Sequence, residues 1–199
     1  MTFVSRFNRI LSVVIWALCA FVVVATFIGS PAEGVVALAP GIVIALVDWI
    51  VLWRPRVEVT GDGVTLLNVL RRVTIPWAAL INVDTKYALT LHTPGHKYAA
   101  WAAPAPGRAG AAVARRQARS GNVAPRAAVA GKAAPGDLLT TDSGAAADMV
   151  LERWEELRES GALTIGEADS TRVTSVWLWQ PAVVAVAIAA ISVVVVRLN

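Results

Sequence analysis

Residues 10–28 and 35–53 form two apolar runs of nineteen residues each, parted by only six, and no other feature limits the possible folds as much. The first run carries no charge and the second carries one, Asp48. At 1.5 Å per residue, nineteen helical residues reach roughly 28 Å, close to the ~30 Å hydrocarbon thickness of a bilayer. Joined by Gly29-Ser-Pro-Ala-Glu-Gly34, they predict a tight transmembrane hairpin. A cleaved signal peptide is the rival reading, since the basic stretch MTFVSRFNR (residues 1–9) precedes the first run. That run is longer than the usual apolar core of about 7–15 residues, and Ser30-Pro31-Ala32 is a poor cleavage site.

The charges around these runs predict an orientation. Arg6 and Arg9 flank the start, Arg54 and Arg56 flank the end, and the connecting loop offers only Glu33, which places both ends in the cytoplasm. A third uncharged run of 21 residues, 176–196, opens on Trp177 and Trp179 and ends at Arg197, so it is expected to span outward and leave the C-terminus external. The expectation is a multi-pass protein of the plasma (inner) membrane. Composition agrees: 56% hydrophobic and 16% charged residues suit a membrane protein with one small soluble part.

Asp48 is the intramembrane acid, and an acid at this depth raises the question of proton or ion transfer. It lies under two turns from Arg54 and beside Trp49 and Trp53, so the expectation is interface placement, by snorkelling or by pairing with an arginine. Pro40-Gly41 reads as a tolerated kink, and Cys19, the single cysteine, lies in an apolar run where no disulfide framework and no reactive thiolate is expected.

Past Trp53 the pattern changes from continuous to alternating. Val57 and Val59 face one way and Glu58 the other, Gly61-Asp62-Gly63 makes a hairpin turn, and residues 64–68 and 73–75 continue as strands. Pro76 to Leu80 breaks the alternation as a short helical turn. Ile81, Val83 and Thr85 resume it, and residues 88–92 and 97–101 flank a Thr93-Pro94-Gly95 turn. Five to seven short antiparallel strands predict a small barrel or sandwich over residues 54–107. Residues 144–160 then predict a helix capped by Asp142 or Ser143 and ended by Gly161. Ala146, Met149, Val150, Trp154 and Leu157 form its apolar stripe. Trp154 is expected to plug the barrel, while Glu152, Glu155, Glu156 and Glu159 lie mostly on the solvated face.

The segments Val57-x-Val59-x3-Gly63-Val64, Ile75-Pro76-Trp77 and Trp101-Ala102-x-Pro104, behind a helical hairpin, resemble the bacterial pleckstrin-homology (PH)-like domains of the low molecular weight protein antigen 6 family, in an actinobacterial type of multi-span protein. The resemblance spans residues 1–107 and the helix near 145–160. It implies a strongly bent antiparallel barrel capped by a C-terminal helix. The fold class expected is therefore an α+β membrane protein: transmembrane hairpin, PH-like β-barrel, capping helix and third transmembrane helix. Inositol-phosphate binding does not carry over, because the loop joining the first two strands is short and acidic here, Thr60-Gly61-Asp62-Gly63.

Residues 108–141, rich in Ala, Gly, Pro and Arg, read as a flexible linker. Between Asp84 and Asp137 the chain has eight Lys or Arg and no acid. Arg108, Arg115, Arg116, Arg119, Arg126 and Lys132 are the candidate contacts to anionic lipid, each able to contribute about 1 kcal/mol near a charged leaflet. Nucleic acid is not expected, since no aromatic residue is interleaved with these charges to stack on bases. Arg71 and Arg72 are a candidate basic pair on the domain surface, with solvated hairpin charges as the plainer reading.

No catalytic residue, cofactor or metal is expected. His92 and His96 flank a turn without a third ligand beside them, and no phosphate loop, nucleophile elbow or zinc-type cysteine pair occurs. The sequence thus predicts a non-enzymatic docking or assembly module at the inner leaflet, with anionic lipids and a protein partner or homo-oligomer as its contacts. The alternatives are an accessory subunit of a larger membrane complex and, more remotely, an enzyme or transporter using Asp48.

Overall fold

The structure, a computed structural model, describes residues 1–107, 141–161 and 171–198. They fall into two compact units, residues 1–5 with 56–176 and residues 6–55 with 177–199.

The helical unit contains α1 (Arg6–Gly29), α2 (Pro31–Asp48) running into a π-helical turn (Trp49–Trp53), and a later helix Gln180–Leu198. Ser30 in extended conformation and Pro31 at the first helical position turn the chain and restart the helix. Close approach of the two arms depends on glycine: a Cβ on Gly34 would lie 2.7 Å from Phe27 Cα, and one on Gly41 would lie 3.2 Å from Val23 Cγ2. Trp16 donates its indole N–H to Ala45 O at 3.3 Å and its ring sits 4.9 Å from Trp53. Arg6–Gly29 and Pro31–Trp53 are each long and apolar enough to cross a membrane. Both exceed the expected bounds of 10–28 and 35–53, because the basic and turn-forming flanks are themselves helical.

The third run departs from expectation at its start. Thr174–Trp177 is strand β8, so the helix begins at Gln180 with Pro181 in its first turn. Its described apolar stretch, Gln180–Val193, is shorter than a spanning length.

The sheet unit has β1 (Thr2–Phe3), β2 (Arg56–Val59), β3 (Gly63–Leu67), β4 (Arg71–Pro76), β5 (Asn82–Asp84), β6 (Ala88–Thr93) and β7 (His96–Pro104), followed by helix α3 (Asp142–Glu159) and β8. The helix Gln180–Leu198 is α4. The expected barrel is not closed. The strands divide into a sheet ordered β1-β2-β3-β4-β8 and a sheet ordered β5-β6-β7. The break falls at Pro76, which has no N–H for a ladder, and the 3-10 turn Trp77–Ala79 that follows redirects the chain. This is the helical turn the sequence predicted.

The inner faces pack on one another through alternating residues: Val57, Val59, Val64, Leu66, Val73 and Ile75 from the first sheet, Leu89, Leu91, Ala100 and Ala102 from the second, with Leu67 and Ala103 buried beside them. Helix α3 seats Ala146, Ala147 and Val150 fully against this core, while Trp154, expected as the plug, is only partly buried. Small residues let the α3 backbone approach, and the large interior ring is instead Trp77, 3% exposed, whose indole N–H donates to Thr60 O at 3.1 Å. The helix cap is Thr141, whose Oγ1 accepts Gly144 N–H at 3.1 Å, in place of Asp142 or Ser143. The carboxylate of Asp142 accepts a hydrogen bond from Ser5 Oγ, which ties the segment after β1 to α3.

Candidate interaction surface and intramembrane acid

Arg71 and Arg72 are neighbours on β4 with different surroundings. Arg71 donates through Nε to Ser175 Oγ on β8, and its guanidinium stands 5.6 Å over the Tyr98 ring. It holds β8 and β7 to the sheet. Arg72 alternates outward and is exposed. The expected basic pair is thus one structural cation and one surface cation.

The six linker cations from Arg108 to Lys132 lie outside the described residues. Around the described sheets the exposed apolar side chains include Leu70, Ile81, Tyr87 and Trp101, with Val176 and Trp177 on β8. Tyr87, 80% exposed, caps the β5–β6 turn, with Lys86 Nζ 5.3 Å from its ring and Asp84 Oδ1 accepting Lys86 N–H at 2.9 Å. Tyr87 falls between the strands expected at residues 81–85 and 88–92. The juxtaposition of Lys86 and Tyr87 in a segment free of hydrophobic alternation was the available signal.

His92 and His96 are not brought together. In the β6–β7 ladder His92 lies opposite Lys97 and His96 opposite Thr93, so the two imidazoles occupy opposite faces of the sheet. His96 stacks with Tyr98, ring centroids 6.1 Å apart. Among the described residues no three His, Cys, Asp or Glu side chains gather at one point that could hold a metal. Glu152, Glu155, Glu156 and Glu159 of α3 are exposed, with Glu156 paired to Arg153 at 2.8 Å.

Asp48 departs from its expected surroundings. It is only 5% exposed, and neither carboxylate oxygen has a hydrogen-bond partner. Arg9, a cation near this end of the hairpin, stands over the Trp53 ring at 3.7 Å. Cys19 is partly buried in an apolar groove between α1 and α2, beside Trp16, Val23, Gly41 and Ala45.

A family model described as a bacterial PH domain matches residues 54–137. It begins where the helical hairpin ends and takes in β2 through β7, which supports a bacterial PH-like domain in this part of the chain. Neither curated proteins nor solved structures give a match. Two packed antiparallel sheets with α3 against the core are consistent with that family's fold.

Proposed function

We infer that this protein is a membrane-anchored docking module, in which a PH-like domain of the antigen 6 type is displayed at the cytoplasmic face of the plasma membrane by a multi-pass anchor. The carrying observation is the combination, in one chain, of a PH-domain match at residues 54–137 and two helices long enough to span. The reading is non-enzymatic. Anionic lipid is met by the linker cations Arg108, Arg115, Arg116, Arg119, Arg126 and Lys132 and by the outward Arg72, while a protein partner or a second copy engages the domain. Nucleic acid has no part in it.

Native mass spectrometry of the full-length protein with mixed lipids tests the lipid contact. Replacing the six linker cations by Gln should reduce retained anionic lipid relative to zwitterionic lipid; unchanged retention removes the claim. Reporter fusions at residues 33 and 199 should both report external. The second reading, an accessory subunit, is favoured by the further helix α4, which packs on α2. It predicts a large stoichiometric assembly on native electrophoresis after gentle extraction, where the docking module predicts a monomer or small homo-oligomer.

A further inference from the structure

Three polar side chains are buried in the apolar helical unit at the end of the hairpin remote from its loop: Asn8 and Ser12 on α1 and Asp48 on α2. Asn8 and Ser12 are four residues apart and share a face of α1. The register is set by Trp16, whose indole reaches Ala45 O. In an antiparallel hairpin, one turn further along each arm brings Ser12 to the layer of Asp48. Ser12 is fully buried and its Oγ has no hydrogen-bond partner; Asp48 is 5% exposed and both its oxygens have none. By this spacing, Ser12 Oγ and the two carboxyl oxygens of Asp48, all unpartnered, fall at one level of the hairpin.

A carboxylate held in an apolar medium without donors is strongly disfavoured unless a counter-charge reaches it. A proton on the carboxyl would remove the charge, whereas a small cation would balance it and also take up the Ser12 hydroxyl oxygen. One carboxylate balances one positive charge, whereas divalent ions of the calcium type call for six to eight oxygens and more acid. Oxygen from a carboxylate, a hydroxyl and helix-end carbonyls is the donor set that alkali cations take at helix breaks in membranes. The chain here changes from α to π geometry directly after Asp48, at Trp49–Trp53, and such rare turns concentrate at functional sites.

We propose that Asp48 and Ser12 form a binding site for a monovalent alkali cation within the helical hairpin. The site is independent of the docking reading. Asn8, one turn from Ser12 and already engaged by other groups, closes the polar layer toward the α1 start.

The test uses full-length protein in detergent micelles, with sodium or potassium chloride replacing choline chloride at constant ionic strength. Trp16, Trp49 and Trp53 near the site give an intrinsic fluorescence readout of unfolding. Expected is a saturable rise in Tm, roughly 5–10 °C at a hundredfold excess over Kd, in the presence of one of the two cations. Asp48→Asn should abolish the cation dependence, and Ser12→Ala, which keeps the charge, should raise the half-saturating concentration about tenfold, the loss of roughly 1.4 kcal/mol of ligand interaction. A Tm insensitive to both cations in the wild type overturns the proposal. So does a response that follows pH alone, which would make Asp48 a proton site, and so does an unchanged half-point in Ser12→Ala, which decides the matter even if Asp48→Asn does not fold.

Discussion

Asn68 and Trp101 are joined by a side chain that behaves as a piece of strand. Asn68 Oδ1 accepts Trp101 N–H at 2.8 Å, and its Nδ2 donates to Ala99 O at 2.9 Å. The amide thereby fills two positions on the β7 backbone and stitches the β3–β4 turn of one sheet to the other sheet, whose own ladders do not reach it. Asn68→Ala should cost about 1–2 kcal/mol, two hydrogen bonds at a partly solvated site, read as a lower chemical-denaturation midpoint with unchanged m-value. Asn68→Asp keeps the acceptor but loses the donor, and should fall between wild type and Asn68→Ala if the Trp101 bond dominates.

Gly61 and Gly63 share one turn and predict opposite outcomes. A Cβ on Gly63 would run into Ile75 O and lie 2.8 Å from Pro76 Cα, both backbone groups of the paired strand β4. Nothing flexible can yield there, so Gly63→Ala should destabilise by about 2–3 kcal/mol. Gly61 has no heavy atom within 4 Å of its Cβ position and no positive φ, so Gly61→Ala should be neutral or stabilising by up to about 1 kcal/mol. Thermal melts of the two variants check both.

How far the sequence could be read depended on how local each signal was. The alternation of Val57, Val59, Val64, Leu66, Val73 and Ile75 and the break at Pro76 are period-two and proline effects, and the strands lie where those patterns put them. Strand β1 is two residues long, Thr2 opposite Glu58 and Phe3 opposite Val57, and no periodicity exists over two residues. Strand β8 was hidden because Val176 and Trp177 continue without a break into an apolar run, where composition favours a span over a strand. Barrel closure depends on ladders between distant strands, which the sequence does not encode locally. For Asp48, chain proximity to Arg54 suggested a pair, yet helical geometry and the Trp53 stacking of Arg9 decide which groups meet.

Thr141 caps α3 although an acid and a hydroxyl follow it. Its backbone is extended, φ −103° and ψ 152°, which only the residue before the first helical turn adopts, and this places Oγ1 on Gly144 N–H. Thr141→Ala should cost about 1 kcal/mol and Thr141→Ser much less. Ser5→Ala removes the donor to the Asp142 carboxylate and should act on the same helix, so the double variant should show less than additive loss in denaturant melts.

Arg71 and Arg72 give a separation of structure from surface. Removing Arg71 breaks its bond to Ser175 and its stacking over Tyr98, so Arg71→Ala should lower stability by about 1 kcal/mol. Exposed Arg72 has no such tie, and Arg72→Ala should leave the melt within about 0.5 kcal/mol of wild type. If the domain surface meets anionic lipid, only Arg72→Ala should change lipid retention at unchanged stability.

The helical hairpin is closed by glycine, and that closure is separable from hydrophobicity. At Gly34 a Cβ would lie 2.7 Å from Phe27 Cα and 2.5 Å from Phe27 Cδ2, so backbone as well as ring must move. At Gly29, on the other side of the same turn, no heavy atom lies within 4 Å. Both replacements by Ala raise helix propensity by about 1 kcal/mol, which alone would stabilise either arm. Gly29→Ala should therefore raise or preserve the Tm of the full-length protein in detergent. Gly34→Ala should lower it and loosen the Trp16–Ala45 contact, seen as a red shift of tryptophan emission, since the gain in propensity is smaller than the cost of parting two packed helices.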